Sequence, residues 1–386
     1  MRDANDLRAG IEGGVRNLVL VLGDQLDHHA ECLRQLDREL DVVLMMEVDA
    51  EASGGGAGIR SHKQRTALFL SAMRHFAIEL IESGVRVRYI KLDASQNTHS
   101  FSSELKRAVR VLSPRKVLVT HPGEWRVLDE LTLAAEDCGV EIEIFEDSHF
   151  FVAINDFANW AKGRKSLTME YFYRDQRKRL GYLMDGGKPE GGDWNYDKDN
   201  RETFRSAPDV PAAYRPQLNK VTREVIELVR KRYPDHPGSL DQFIWPVTRD
   251  QALRALDRFV ETRLADFGPY EDAMWAGEHF LYHAMLSPAL NLKLLNPREC
   301  VDAAIKAYQA GKAPLNSVEG FVRQIIGWRE FIRGVYWTQP RDYRERNGLQ
   351  QHGNLPDFYY TGETDMNCVR ECLRPVLDHA WSHHIP

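Results

Sequence analysis

Long apolar runs are absent from this sequence. No stretch approaches the roughly 20 apolar residues that a membrane-spanning helix needs. Residues 1–16 mix charges with glycine, where a secretory leader would place a basic end before an apolar core. These two absences predict a cytoplasmic protein with no membrane partner. Cysteine is scarce: Cys32, Cys138, Cys300, Cys368 and Cys372 are scattered along the chain, which argues against a disulfide framework. Low-complexity tracts are missing, and a chain that is 43% hydrophobic and 28% charged is not composed like a disordered one. An excess of positive charge is missing too. With a formal net charge of −6, any contact with nucleic acid has to come from a local patch. Candidates are Arg164 with Lys165, the run from Arg174 to Arg179, and the cluster from Arg323 to Arg333.

What is present exceeds one core. At 386 residues the chain passes the roughly 250–300 at which single cores stop growing, so two domains are expected. Short apolar runs at residues 17–22, 42–46, 85–90, 116–120 and 140–144 read as buried strands. Helical patterns at 62–83, 100–113 and 126–138 fall between most of them, and that alternation predicts a doubly wound α/β domain with a parallel sheet over residues 16–150. Ligands of such sheets sit at the carboxyl ends of the strands. Gly23, Asp24 and Gln25 follow the first strand, Glu47 the second, and Glu124 and Trp125 the fourth, so these six are candidate ligand contacts. No GxGxxG follows the first strand, which removes the usual dinucleotide grip. Residues 151–237, aromatic and basic and then rich in glycine and proline, read as an interdomain connection with some helix. Residues 238–386 read as a helical domain, with three-to-four spacing of apolar residues at 251–267, 299–310, 319–337 and 367–384.

Three segments of the helical half carry chemistry. Gly268-Pro269-Tyr270 is followed by Leu286-Ser287-Pro288, where a hydroxyl and free backbone N–H groups at a helix start suit an anion. Gln324 and Trp328 are one turn apart on a helix and lead into Arg329 and Glu330, offering an amide and a stacking surface to an extruded base. The stretch from Phe358 to Arg370 carries Cys368 and precedes His383 and His384. In this order, with Leu22-Gly23-Asp24-Gln25-Leu26, Pro122-Gly123-Glu124-Trp125-Arg126 and the segment from Lys165 to Tyr173, these residues resemble the cryptochrome/photolyase superfamily. The resemblance covers nearly the whole chain and points to the photolyase-related branch of iron–sulfur bacterial cryptochromes and prokaryotic (6-4) photolyases. His283 and Ala284 stand where that family has a Thr-Ser pair.

The resemblance implies a light-driven flavoprotein that repairs ultraviolet-damaged DNA by electron transfer from FAD to a flipped-out pyrimidine dimer or (6-4) photoproduct. It places Tyr270, Leu286, Ser287 and Pro288 at the FAD phosphates, Gln324, Trp328, Arg329 and Glu330 at the lesion or flavin, and His384, beside His383, as the proton-exchanging group. It implies a lumazine-type antenna in the α/β domain. It also implies a four-iron, four-sulfur cluster with Cys368 as first ligand; the other three would fall past Pro386, so the expectation is that the flavin domain is incomplete and the cluster absent. Two alternatives stand beside repair: a blue-light sensor acting through a protein partner, and an inactive remnant.

Overall fold

In a computed structural model, the structure describes residues 14–53 and 60–385. Strands β1 (Asn17–Leu20), β2 (Val42–Met46), β3 (Val87–Ile90), β4 (Lys116–Thr120) and β5 (Glu141–Phe145) form an all-parallel sheet in the order β3-β2-β1-β4-β5. Val19 is in register with Val43 on one side and Leu118 on the other. Successive side chains alternate between faces. Leu18, Leu20, Leu44 and Val119 therefore pack against Leu105 and Leu131 on one face, and Val19, Val43, Met45 and Leu118 meet Leu70, Met73 and Phe76 on the other. The first cluster is confined to the sheet domain. The second runs on through Phe157, Phe172 and Val225 into Phe259, Phe321 and Phe331 of the helical half, so one apolar core joins both halves.

The chain order reverses beside β1, so the loops after β1 and β4 flank the crevice where ligands of such sheets bind. The helices between the strands begin and end where the sequence places them. His62 caps the helix Lys63–Glu82 by accepting the Gln64 N–H on its imidazole, and Ser100 caps Phe101–Leu112 through its hydroxyl. His62 also bonds the Leu377 carbonyl, and Gln64 donates to the carbonyls of Ser239 and Asp378, so the Asn367–His379 helix is tied to the α/β domain.

Three expected helices differ from the structure, the first being that over 251–267, which breaks at Arg263 into Arg249–Thr262 and Leu264–Phe267. The segment expected as one helix over 319–337 is three: Leu315–Val322, a π-helical stretch Arg323–Arg329, and Glu330–Thr338. A π turn accommodates one extra residue and recurs at functional sites. Here it places Gly327 against Met169 and Tyr173, and a Cβ on Gly327 would stand 3.0 Å from the Met169 sulfur. The helix expected over 367–384 stops at His379. Ala380 takes a left-handed φ of 55° and its N–H bonds the Val376 carbonyl, so Trp381–Ile385 turns back across residues 279–283.

Gly334, in the helix Glu330–Thr338, lies so close to Phe157 that a Cβ would overlap the ring. Phe157 is 1% exposed and wedged among Trp160, Phe172 and Phe331. Alanine is worth about 1 kcal/mol over glycine in an open helix. Gly334→Ala is nonetheless expected to destabilise the protein by about 1–3 kcal/mol through overpacking. Urea unfolding measures it, and a variant at least as stable as the wild type would refute the packing argument.

Candidate active site

At the carboxyl edge of the sheet a cavity of about 700 Å³ opens between the α/β domain and the segment after Trp337, lined by Arg65, Glu124, Trp125, Arg126, Tyr336 and Arg341 among others. Trp125 forms its aromatic wall. Its ring lies 4.4 Å from Trp337, the Arg341 guanidinium sits 4.2 Å over it, and its backbone N–H donates to the Tyr336 hydroxyl. Of the six residues expected at this edge, Glu124 and Trp125 line the cavity. Gly23, Gln25 and Glu47 are engaged within the fold. Gly23 allows Met73 to approach closely, and Gln25 donates to the Thr120 carbonyl at 2.8 Å, tying the β1 loop to β4. Asp24 lies against Gly123, its carboxyl pushed up by burial against the pull of Lys293. Glu47 is 1% exposed and accepts from Arg74 twice, from the Tyr89 hydroxyl and from the Leu92 N–H, which leaves its carboxylate no free face for a ligand.

The helical half gathers its candidates on the turn after Gly268. A Cβ there would stand 2.7 Å from the Ser317 backbone, while the Gly268 N–H donates to the Ser317 hydroxyl; glycine lets the turn dock. Tyr270, Glu271 and Asp272 each meet a site candidate or are one. Tyr270 stacks on Phe204 at 4.4 Å and lies 5.5 Å from Tyr282. Glu271 accepts the Gln324 amide at 2.5 Å, and Asp272 meets the His384 Nε2 at 3.0 Å. Glu271 and Asp272 were not singled out from sequence: acidic residues on a turn carry no signal until their partners fold beside them.

Burial pushes the Glu271 carboxyl up to about 7 against the opposing charge of Arg323. A carboxyl raised in the fold holds its proton more tightly there. Its stabilisation is complete below the unfolded value near 4.5 and is lost as pH rises toward 7, by at most about 3 kcal/mol. Glu330, also pushed up to about 7 by burial, acts in the same direction. His149, His283 and His383, pushed down by burial, act oppositely, their contribution being lost as pH falls. The test is therefore a difference. Glu271→Gln keeps a carbonyl acceptor for Gln324 and is expected to gain stability over the wild type between pH 5 and 7.5. A pH-independent difference in chemical-denaturation free energy would refute the buried-acid assignment.

The remaining candidates fall into three groups. Trp328 is 44% exposed at the π stretch and offers a free ring face. Arg329 and Glu330 act as a clamp: the Glu330 carboxylate accepts the N–H groups of Phe151 and Val152, Arg329 donates to the His149 carbonyl, and Phe150 lies between Arg329 and Arg333. Glu330 is buried, while the Arg329 side chain is 17% exposed but engaged with the His149 carbonyl and the Phe150 ring. Leu286 is buried, Pro288 lies in the first turn of the short helix Ser287–Asn291, and Ser287 is exposed at its start and makes no capping bond. The adjoining cavity beside Ala284 and Met285 is only about 20 Å³.

His383 is 8% exposed and His384 half exposed, and both lie against His283. Burial, then the neighbouring imidazoles, push His283 down to about 3 and His383 down to about 4, so both are neutral at pH 7. Cys368 is exposed on the Asn367–His379 helix with Cys372 one turn on. Cys32 and Cys300 are buried in the core and Cys138 closes the Trp125–Asp137 helix, so among the described residues no third thiol joins the pair. The basic clusters are largely engaged within the protein. Arg323 pairs with Asp197, Arg333 with Glu146, Arg174 with Glu170, and Arg177 is buried against the Leu183 and Trp194 carbonyls. Lys165 and Lys178 are exposed.

A parallel α/β domain with a crevice at its switch point, followed by a helical half, is an architecture that photolyases share. The crystal structure of a bacterial class III photolyase from Agrobacterium tumefaciens shares it, with a TM-score of 0.60 at 15% identity over 98% of this chain and 72% of that one. The chain belongs to the deoxyribodipyrimidine photo-lyase-related protein family, whose model matches residues 19–245. A (6-4) photolyase of Agrobacterium fabrum is 45% identical over 370 residues, 95% of this chain and 72% of the relative. An uncharacterised mimivirus protein is 34% identical over 114 residues, 29% of this chain and 87% of its own length. Among the described residues no helix is long and apolar enough to cross a membrane.

Proposed function

We propose that this chain repairs ultraviolet photoproducts in DNA by light-driven electron transfer, with the (6-4) photoproduct as substrate class. The observation that carries the reading is the 45% identity to a (6-4) photolyase across 95% of the chain. The turn that joins Tyr270, Gln324 and His384 supports it with a site of the right chemistry. In this reading residues 16–150 form an antenna-type domain, 151–237 the connection and 238–386 the flavin-binding part.

A flavin, FAD in this reading, supplies the excited electron donor when bound. Tyr270 and the exposed Ser287 hydroxyl, set between Leu286 and Pro288, would meet its phosphates. Trp328 gives an extruded base a stacking surface, and the Gln324 amide, held by Glu271, reads a polar edge. His384, oriented by Asp272, donates and recovers a proton, a task for which an imidazole is suited near neutral pH. The cavity walled by Trp125 and Tyr336, with Arg65 and Arg126 as cations, fits a lumazine-type antenna. The described thiols do not fit a four-iron cluster, which needs four cysteine ligands.

Two measurements on the purified 386-residue protein test the reading. A flavin band in the blue, with blue-light restoration of an oligonucleotide carrying a single (6-4) lesion, is expected. Flavin bound without repair, alongside light-dependent capture of a protein, would overturn it in favour of a sensor.

A further inference from the structure

Around the returning segment Trp381–Ile385 the protein concentrates histidine. His279 and His283 are four residues apart on one segment, His379 and His383 on another, and the two pairs face each other across Phe280 and Trp381. Imidazoles packed this closely destabilise one another when charged, so the cluster has to be kept neutral or be bridged. Three ring nitrogens in it are buried with no hydrogen-bond partner: Nε2 of His283, Nδ1 of His379 and Nε2 of His383. A buried polar nitrogen left unpaired costs about 1–3 kcal/mol. Such atoms ask for a ligand the polypeptide does not itself supply.

We propose that in the resting, DNA-free protein His283, His383 and His384, with Asp272 as fourth donor, bind one divalent transition-metal ion of the zinc class, which has to leave before His384 can exchange a proton. One nitrogen from each of the three imidazoles lies within 4.8 Å of the others, and Asp272 Oδ1 lies 3.0 Å from His384 Nε2. Three imidazoles and a carboxylate are a donor set that suits zinc, cobalt and nickel in preference to calcium or magnesium.

The movement required is local. Metal–nitrogen bonds of about 2.0–2.1 Å bring ligating nitrogens to roughly 3.4 Å from one another, so from within 4.8 Å the cluster closes by up to about 1.4 Å. His283 stands edge-on to His383 at 84°, an arrangement that lets two in-plane lone pairs converge. His383 and His384 are stacked at 11°, which leaves their lone pairs parallel, so the half-exposed His384 ring has to turn. Ligation also releases the Ile385 N–H from His383 Nδ1, a single bond of 3.1 Å beside the last described residue. A net hydrogen bond of about 1 kcal/mol is small beside the 10–16 kcal/mol of structural zinc sites.

Cys368 and Cys372 could also take a soft metal, so the experiment removes them first. Cobalt(II) alone is titrated into the flavin-free Cys368→Ser/Cys372→Ser protein in the dark, with zinc as competitor. One equivalent is expected to give visible d–d bands of tetrahedral intensity without a sulfur-to-cobalt band in the near ultraviolet. His384→Ala, at an exposed position where the fold tolerates the change, is expected to weaken binding at least tenfold, and His383→Asn to remove the tetrahedral spectrum. Circular dichroism confirms that both variants fold. No cobalt uptake by the thiol-free protein would overturn the proposal, as would uptake unaffected by His384→Ala. Because the readout needs neither flavin, light nor DNA, its failure is separate from failure of the repair reading.

Discussion

Glu47→Ala is expected to lower the unfolding free energy by roughly 3–5 kcal/mol, enough to unfold the α/β half under mild denaturant. The carboxylate accepts both the Nε and Nη2 hydrogens of Arg74, at 2.6 and 2.9 Å, and the Arg74 side chain is only 6% exposed. Alanine leaves that guanidinium buried without its counter-charge, and strands the Tyr89 hydroxyl and the Leu92 N–H as well. The loss is thus the cost of an orphaned ion more than the worth of the bonds. Glu47→Gln keeps one acceptor oxygen and is expected to lose less. Urea unfolding followed by circular dichroism measures both. An alanine variant that unfolds like the wild type, but with altered chromophore content, would return Glu47 to the role of a ligand contact.

His384→Ala is expected to reduce the rate of blue-light repair by about 10²–10⁴-fold, the range that positioned proton transfer contributes. The flavin spectrum and the affinity for damaged DNA are expected to hold, because the side chain is half exposed and outside the core. Asp272→Asn removes the charge that orients the imidazole and is expected to lose part of the rate. Repair at the wild-type rate by His384→Ala would exclude this imidazole as the proton donor. The size of the loss separates the two variants, since Asp272→Asn keeps the imidazole and removes only its hydrogen-bonded partner.

Much of this was legible in the residues themselves. The apolar runs at 42–46 and 116–120 coincide with β2 and β4 because a strand buried on both faces needs no polar position. The helix Phe101–Leu112 lies between Ser100 and Ser113 because a hydroxyl cap and a left-handed exit are local chemistry. The chain's kinship was equally legible: short, ordered motifs name a family without any knowledge of where they meet.

The sequence by itself thus determined the strands and helices of the α/β domain, their layering and the family. Only the tertiary structure decided which candidates share a site. Gln324 and Glu271 are 53 residues apart, and His384 and Asp272 are 112 apart, so no spacing rule could pair them. The same holds in reverse for Glu47, Arg329 and Glu330, whose charges invite a ligand on paper and are answered by Arg74, His149 and the Phe151–Val152 backbone in the fold. Periodicity records how much of each residue is buried, because burial depends on local geometry. The partner of a buried charge depends on which distant backbone is folded against it, and that is settled only when the cores close.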